Sequence, residues 1–371
     1  MTSREDAVVY PAGWEPDVLG EGYEQRTLPL PDDPEGPVVA TLVRRVRGPD
    51  APDLGLDVLY VHGWSDYFFQ TELADFWTAQ GARFFALDLR RYGRSLRPGQ
   101  IPGFVTDLAT YDEDVAAARA AMAEDVPDGA PRRLVLMGHS TGGLTLSLWA
   151  QRNPGEAAAL VLNSPWLELQ TREVGRVLLE PVVQVGARLN PARQLPVVDP
   201  GFYTRVVSDA YGGEWHYDMA WRPERGFRVT SGWLGAIFAG QDRLARGLDL
   251  LVPVLVLLST RSALLPRWDP ARMTRADVAL DVDGVARRAA DLGRHVTIVR
   301  IEGALHDVVL SAAPVRNAAY EATARWVAGT VTLGDVTAAA ARSPDARGAA
   351  PTHPGLLEWL ARRHRDVTGR G

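Results

Sequence analysis

The residues best placed to do chemistry are Gly138-His139-Ser140-Thr141-Gly142, a G-x-S-x-G pattern that cuts off the apolar run "LVLM" at 134–137. One reading is a plain glycine-rich turn from strand to helix. The other is a serine held in a sharp, strained turn so that its hydroxyl stands exposed for attack. The segment that follows, "LTLSLWAQR" (144–152), has helical character. Its amino end would favour a negative charge developing at Ser140. A serine nucleophile also needs a base, because its free hydroxyl is barely ionised near neutral pH. Seven histidines are available. His139 adjoins the serine, but neighbouring side chains at a sharp turn point apart. His62 ends an earlier strand, His216 lies in the middle of the chain, His295 begins a strand, and His353 and His364 are in the tail. His306, in "IEGALHDVVLS", follows the last apolar run and is the expected base.

The stretch "YVHGWSD" (60–66) offers a third part. A backbone N–H after a strand can join the N–H of Thr141 as an oxyanion hole, and Trp64 is the expected donor. His62 and Gly63 are read as shaping that loop. Several chemistries are excluded. The chain has no Cys and no Lys, which rules out a thiol nucleophile, a Cys-bound zinc, a Schiff base and a lysine-dependent phosphate loop. No His and carboxylate group shows metal-ligand spacing, so neither metal nor cofactor is expected. A net charge of −6 gives no global field for nucleic acid. The "HRD" triplet at 364–366 lacks the further residues of a kinase loop and is read as chance.

These groups need a scaffold. Apolar runs at 56–63, 83–89, 133–140, 159–165, 253–259 and 295–303 each predict a strand buried on both faces. Helical stretches such as "YDEDVAAARAAMAED" (111–125), with Asp112 near its start, separate several of them. This alternation predicts a parallel sheet with helices on both sides. The run at 38–46 is predicted to add an antiparallel strand at the sheet edge. Between Ser164 and Leu250 the rhythm breaks. Val174, Val177, Leu178, Val182, Val185 and Leu189 fall near helical spacing, as do Trp233, Leu234, Ile237, Phe238 and Leu244. This insertion is read as a helical cap over the strand ends, where sites of α/β sheets lie. The expected division is core 1–165, cap 166–249, core 250–330 and a C-terminal extension 331–371. The chain is 46% hydrophobic and 23% charged, normal for a soluble domain with a sizeable core. No run approaches the roughly 20 apolar residues of a membrane span, and "MTSREDAVVY" is charged at once and lacks a signal-type apolar core. A cytoplasmic protein is expected.

Taken together, "HGWSD", "DLRRYGRS" (88–95), "GHSTGG" and the late "LHD" resemble the α/β-hydrolase superfamily, nearest its serine aminopeptidase and monoacylglycerol-lipase-like branch. The motifs span roughly residues 38–330 in the right order. The resemblance implies the α/β-hydrolase fold, a Ser-His-Asp triad and a cap inserted after the sixth strand. It makes "DLRRYGRS" a turn after the fourth strand, read as a structural loop fixed by Asp88 and Arg90. It also implies that the acid lies between Ser140 and His306 in the chain. Here the chain departs from the branch, because "LLSTRSALLP" places no carboxylate directly after its strand. Asp269, Asp277, Asp281, Asp283 and Asp291 are the candidates. In lipase-like relatives a second polar residue follows the acid by four positions, which selects Asp277, delayed by an insertion at roughly 262–275, with Asp281 in reserve. The cap departs too, through Phe202, Tyr203, Tyr211, Trp215, Tyr217 and Trp221.

The expected activity is hydrolysis of a carboxylic ester with a small or medium apolar or aromatic substrate, through an acyl-enzyme. Trp64, His139, Trp166 and Trp215 are the expected substrate contacts, and a small-molecule ester is the expected partner. Amide, peptide or lactone hydrolysis and acyl transfer use the same triad and stay open, as does oligomeric state. A catalytically silent ligand-binding protein of the same fold is the reading from another class.

Overall fold

The computed structural model describes residues 10, 13–33, 35–48, 50–126, 130–168, 183, 185–196 and 199–332. The chain divides into two compact units, 1–326 and 327–371. Of the second, the described part contains a short π-type turn, Ala328–Thr332. The expected C-terminal helix around 356–367, and Val174, Val177, Leu178 and Val182 of the cap, lie outside the described residues.

The first unit is built on a nine-stranded sheet in the order β1-β2-β3-β5-β4-β6-β7-β8-β9. The strands are β1 (Glu15–Pro16), β2 (Tyr23–Pro29), β3 (Val39–Arg45), β4 (Leu56–Val61), β5 (Ala82–Asp88), β6 (Arg133–His139), β7 (Ala159–Asn163), β8 (Val254–Ser259) and β9 (Val296–Ile301). From β5 through β4 to β9 every pairing is parallel. β1, β2 and β3 join antiparallel. Helices α1 (Thr71–Ala79), α2 (Tyr111–Glu124) and α3 (Thr141–Arg152) connect β4 to β5, β5 to β6 and β6 to β7. Residues on β4, β7 and β8 are buried along their whole length, as strands covered by helices on both faces require. This is the α/β-hydrolase fold, a mostly parallel sheet flanked by helices.

Two expectations are corrected. The strand at 38–46 is antiparallel but does not lie at the edge, because β2 pairs along its outer side. Residues Val39–Val43 are accordingly buried throughout. β9 is not buried on both faces. It is the last strand of the sheet, and Thr297, Ile298 and Arg300 are exposed.

The insertion begins after Asn163, at the end of the sixth strand if two-residue β1 is left out. It carries α4 (Phe202–Val207) and α5 (Ser231–Ala245). Thr230 caps α5, its Oγ1 accepting from the Trp233 N–H at 3.2 Å. Trp233, Ile237, Phe238 and Leu244 are buried, as their spacing predicts. Val185 and Leu189 behave otherwise. They lie on a helical run at 185–189, yet both are exposed. After β8 come α6 (Pro270–Met273) and α7 (Val282–Ala289), and after β9 comes α8 (Ala313–Val327).

The loop after β5 is tied by its charges. Asp88 accepts from the Phe68 N–H, the Arg94 N–H and Arg94 Nη1 at 2.9, 3.0 and 2.9 Å. Arg90 Nε donates to Asp114 at 2.7 Å, with both side chains buried. Among the described residues no helix is long and apolar enough to cross a membrane.

Candidate active site

The turn between β6 and α3 holds Ser140 at φ 50°, ψ −115°, a conformation a non-glycine residue adopts only when its surroundings impose it. The flanking glycines explain how the turn closes. A Cβ on Gly138 would lie 2.7 Å from backbone atoms of Gly142 and Gly143. A Cβ on Gly142 would overlap the backbone of Val61 and His62 at the end of β4. The carboxyl ends of the two central strands are thus packed directly on the serine turn.

Ser140, His306 and Asp277 form one hydrogen-bonded chain. Ser140 Oγ lies 3.1 Å from His306 Nε2, and His306 Nδ1 lies 3.0 Å from Asp277 Oδ2. With the proton on Nδ1, His306 donates to the carboxylate and Nε2 accepts from the serine hydroxyl. Asp277 is fully buried, and its Oδ1 accepts from the Ala279 and Leu280 N–H groups at 2.8 and 2.7 Å. Two bonds explain how an acid so late in the loop reaches the site. The Asp277 N–H donates to Arg261 O at 2.9 Å, and the Ala263 N–H donates to Asp277 O at 2.7 Å. The insertion loops out and returns, so that Asp277 pairs beside the chain leaving β8.

The other acids do different work. Asp281 caps α7, with Oδ1 accepting from the Asp283 N–H at 3.2 Å. Asp283 pairs with Arg300, Asp291 with Arg288, and Asp269 precedes α6.

Thr141 opens α3, so its N–H is one of those a helix leaves without an internal acceptor. Gly63 packs on the serine, since a Cβ there would sit 3.0 Å from Ser140 Cβ. This brings the loop bearing Trp64 against the turn. The ring of Trp64 lies 3.9 Å, between centroids, from that of Trp233 and 5.8 Å from Tyr92. Trp166 lies 6.1 Å from Trp233, and its N–H donates to Ser140 O at 2.9 Å. Trp215 is placed elsewhere. Its Nε1 donates to Leu310 O at 2.9 Å and its ring packs on Phe69 and under Arg316, in an apolar cluster between cap and core. His62 donates from Nδ1 to Gly63 O and accepts at Nε2 from the Leu89 N–H, so it shapes the loop.

His139 is buried, its Nδ1 is 3.2 Å from Asn163 O, and its ring lies 4.9 Å from that of His306. Burial lowers its pKa to about 4, which keeps it neutral near pH 7.

Several buried polar residues were not picked out from the sequence. Asp307 Oδ1 accepts from Asn163 Nδ2 and the Val309 N–H at 2.6 and 3.0 Å, and Oδ2 accepts from Gln70 Nε2 at 3.1 Å. Asn163 Oδ1 accepts from the Val308 N–H at 3.0 Å. The loop carrying His306 is therefore anchored to the end of β7. Asp66 pairs with Arg222 of the cap at 3.1 Å, both almost wholly buried. Burial raises the Asp66 carboxyl to about 7. The signals are the place of Asp307 beside His306 in "LHD" and of Asp66 at the end of "HGWSD"; for Arg222 no local pattern exists.

Among the described residues, one group has metal-ligand spacing, Asp66, His139 and Asp307, with one donor atom of each within 4.8 Å of the others. Arg222 already brings a positive charge to Asp66, and both oxygens of Asp307 accept hydrogen bonds. That charge and those bonds oppose a cation there, while Asp66 Oδ2 is buried with no hydrogen-bond partner among the described residues.

The profile of the family described as Serine aminopeptidase, S33, matches residues 56–312. A monoacylglycerol lipase of Mycolicibacterium smegmatis is 28% identical over 228 residues, covering 61% of this chain and 76% of that protein. Among solved structures, a monoacylglycerol lipase of Paleococcus ferrophilus superposes with a TM-score of 0.53 at 20% identity, covering 76% of this chain and 96% of the other. A soluble variant of monoglyceride lipase from Saccharomyces cerevisiae gives 0.54 at 14% identity, covering 88% and 98%. A thermostable carboxyl esterase from Bacillus coagulans gives 0.57 at 13% identity, covering 83% and 99%. These structural likenesses carry the fold. With the profile spanning the sheet from β4 past His306, the chain belongs to the serine aminopeptidase S33 family of α/β-hydrolases.

Proposed function

We propose that this chain hydrolyses carboxylic esters through an acyl-enzyme, with Ser140 as nucleophile, His306 as general base and Asp277 as the acid that orients it. The observation that carries this reading is the unbroken chain Ser140 Oγ, His306 Nε2, His306 Nδ1, Asp277 Oδ2, at 3.1 and 3.0 Å. As Ser140 Oγ attacks the ester carbonyl, His306 Nε2 takes its proton, and Asp277 stabilises the imidazolium that forms. The N–H groups of Thr141 and Trp64 receive the charge developing on the carbonyl oxygen, aided by the amino end of α3. His306 then returns the proton to the leaving alcohol, and a water repeats the sequence to release the acid.

The monoacylglycerol lipases and esterases among the relatives support an ester substrate. Trp64, Trp166 and Trp233 beside the serine support an apolar or aromatic acyl group of small or medium size. Trp215 would act by packing the cap against the core. The functional division is core 1–165, cap 166–249, core 250–330 and extension 331–371. The family description favours a second reading, peptide hydrolysis on the same triad. A panel of aryl esters of graded acyl length, run beside amino-acid arylamides and a long-chain emulsion, tests these readings. Turnover fastest on soluble short, medium or aromatic esters, and abolished in Ser140→Ala, is the expected result. Faster turnover of arylamides or of the emulsion would overturn the substrate reading.

A further inference from the structure

The loop after β4 carries Trp64 and then Ser65, Asp66 and Tyr67, and each of these last three is bonded to the same stretch of cap. The Phe227 N–H donates to Ser65 Oγ at 2.9 Å. Arg222 Nε pairs with Asp66 Oδ1 at 3.1 Å. The Asp218 N–H donates to Tyr67 Oη at 2.7 Å. Core bonds hold the ends of the loop, His62 Nδ1 donating to Gly63 O at 2.7 Å and the Phe68 N–H to Asp88 Oδ1 at 2.9 Å. The loop belongs to no strand or helix, and Ser65 stands at φ 52°, in the left-handed region. A side chain persists there only when neighbours over-determine it, and the cap's two hydrogen bonds and one ion pair add to the core bonds at the stretch between those ends.

The cap side of the contact is equally fixed. The Arg222 guanidinium lies 4.7 Å from the Tyr203 ring and 4.5 Å from the Tyr217 ring, both from the cap. Tyr203 in turn packs edge-on to His306 at 5.2 Å. Trp221 packs edge-on to Tyr67 at 5.1 Å.

We propose that cap segment 218–227 sets the position of the oxyanion-hole donor, with Arg222 as the positioning residue acting through Asp66 and with Ser65 and Tyr67 as the supporting attachments. The proposal rests on the function proposed above, since it takes the Trp64 N–H as an oxyanion donor. An oxyanion donor works only if it is already aimed at where the charge will form. Trp64 is one residue from Ser65 and two from Asp66, so a shift of those side chains moves its N–H. The cap then does more than enclose substrate. It holds half of the electrostatic machinery, and a substrate that pries the cap from Ser65, Asp66 and Tyr67 loses turnover as well as binding.

The test uses the full chain and the variants Arg222→Met, Arg222→Lys and Tyr67→Phe. It measures kcat and KM on an aryl ester, the inhibition constant of an aryl trifluoromethyl ketone, whose hemiketal oxyanion fills the hole, and that of the product carboxylic acid. Removing a whole oxyanion donor costs about 10²–10³ in kcat, so a displaced one is expected to cost about 10-fold or more in Arg222→Met, with KM within about twofold. Arg222→Lys recovers part of this, and Tyr67→Phe shows a smaller loss of the same kind. Ketone affinity falls in proportion to kcat/KM, while product binding holds. Unchanged kcat, or losses confined to KM with ketone affinity intact, overturns the proposal. If Arg222→Met fails to fold, Tyr67→Phe, which removes one hydroxyl, decides by the same criteria. A wild-type chain that turns over no ester overturns the functional reading and this proposal together; an active wild type with insensitive variants overturns this proposal alone.

Discussion

Two groups of side chains meet at the Ser140 turn. Trp64, Trp166, Trp233 and Tyr92 form one, with ring centroids 3.9 to 6.1 Å apart in successive pairs. Asp66, His139, Arg222 and Asp307 form the other, buried and close together, with Asp66 and Arg222 paired by charge. The aromatic group gains its stability from apolar area and from tilted ring contacts, neither of which depends on pH. The charged group loses solvation on burial and recovers it only through partners placed to fit. Under the function proposed above, the first is the group that would accommodate an acyl chain. The second holds the loops of His306 and Trp64 in one arrangement, at the risk of a large penalty if any member is removed.

The largest expected effects come from the hydrogen-bonded chain that lies between the two groups. Ser140→Ala or His306→Ala is expected to lower kcat by about 10⁴-fold or more with the fold retained, and the double variant by little further, because the pair acts as a unit. Steady-state turnover on an aryl ester, with circular dichroism as the folding control, measures this. Asp277→Asn is expected to cut kcat by up to about 10⁴-fold. Asp281→Asn is expected to leave it near the wild-type value, since Asn also caps a helix. The reverse pattern would transfer the acid's role to Asp281.

The next effects separate the two groups. Trp233→Ala removes a buried ring of the aromatic group and is expected to destabilise the protein by about 3–5 kcal/mol in denaturant titration, with KM rising for aromatic esters. The same loss measured at pH 5 and pH 8 is expected to be equal, because no titrating group is removed.

Asp66→Asn is expected to act through pH. Burial raises this carboxyl to about 7, against about 3.9 unfolded. Between those values the folded chain holds a proton that the unfolded chain has released. The group's contribution to stability is thus fullest below its unfolded pKa and is lost as pH rises through 7. His139, lowered to about 4, acts the other way and loses its contribution as pH falls below about 6.5. The difference in unfolding free energy between Asp66→Asn and wild type isolates the carboxyl, and it is expected to shift in favour of Asn from pH 4 to pH 8. A flat difference would show that Arg222 keeps Asp66 ionised throughout.

What the sequence makes legible follows the same division. Parallel strands covered on both faces leave unbroken apolar runs, so β4 through β8 are visible in it. The Ser140 turn is visible because its glycines are forced by backbone contact. The edges are harder to read. β3 reads as outermost because β2, "YEQRTLP", alternates weakly and carries charge. β9 reads as buried because Ile298 and Val299 look like core residues, although as the last strand of the sheet it is exposed at Thr297, Ile298 and Arg300. Asp277 is reachable only through a resemblance, since its place is set by pairing with residues 261–263 rather than by its own neighbours. The pairings of the charged group are almost silent in sequence, although Asp66, His139 and Asp307 lie within "HGWSD", "GHSTGG" and "LHD". Asp66, Arg222 and Asp307 are single polar residues in separate loops, and their meaning lies in partners brought together by the fold.

The most direct test of the account is the site of covalent capture. Wild-type protein treated with a fluorophosphonate, digested and mapped by mass spectrometry is expected to carry one adduct, on Ser140, at a rate that collapses in His306→Ala. An unlabelled protein, or an adduct on another residue with Ser140 untouched, would contradict the Ser140–His306–Asp277 assignment.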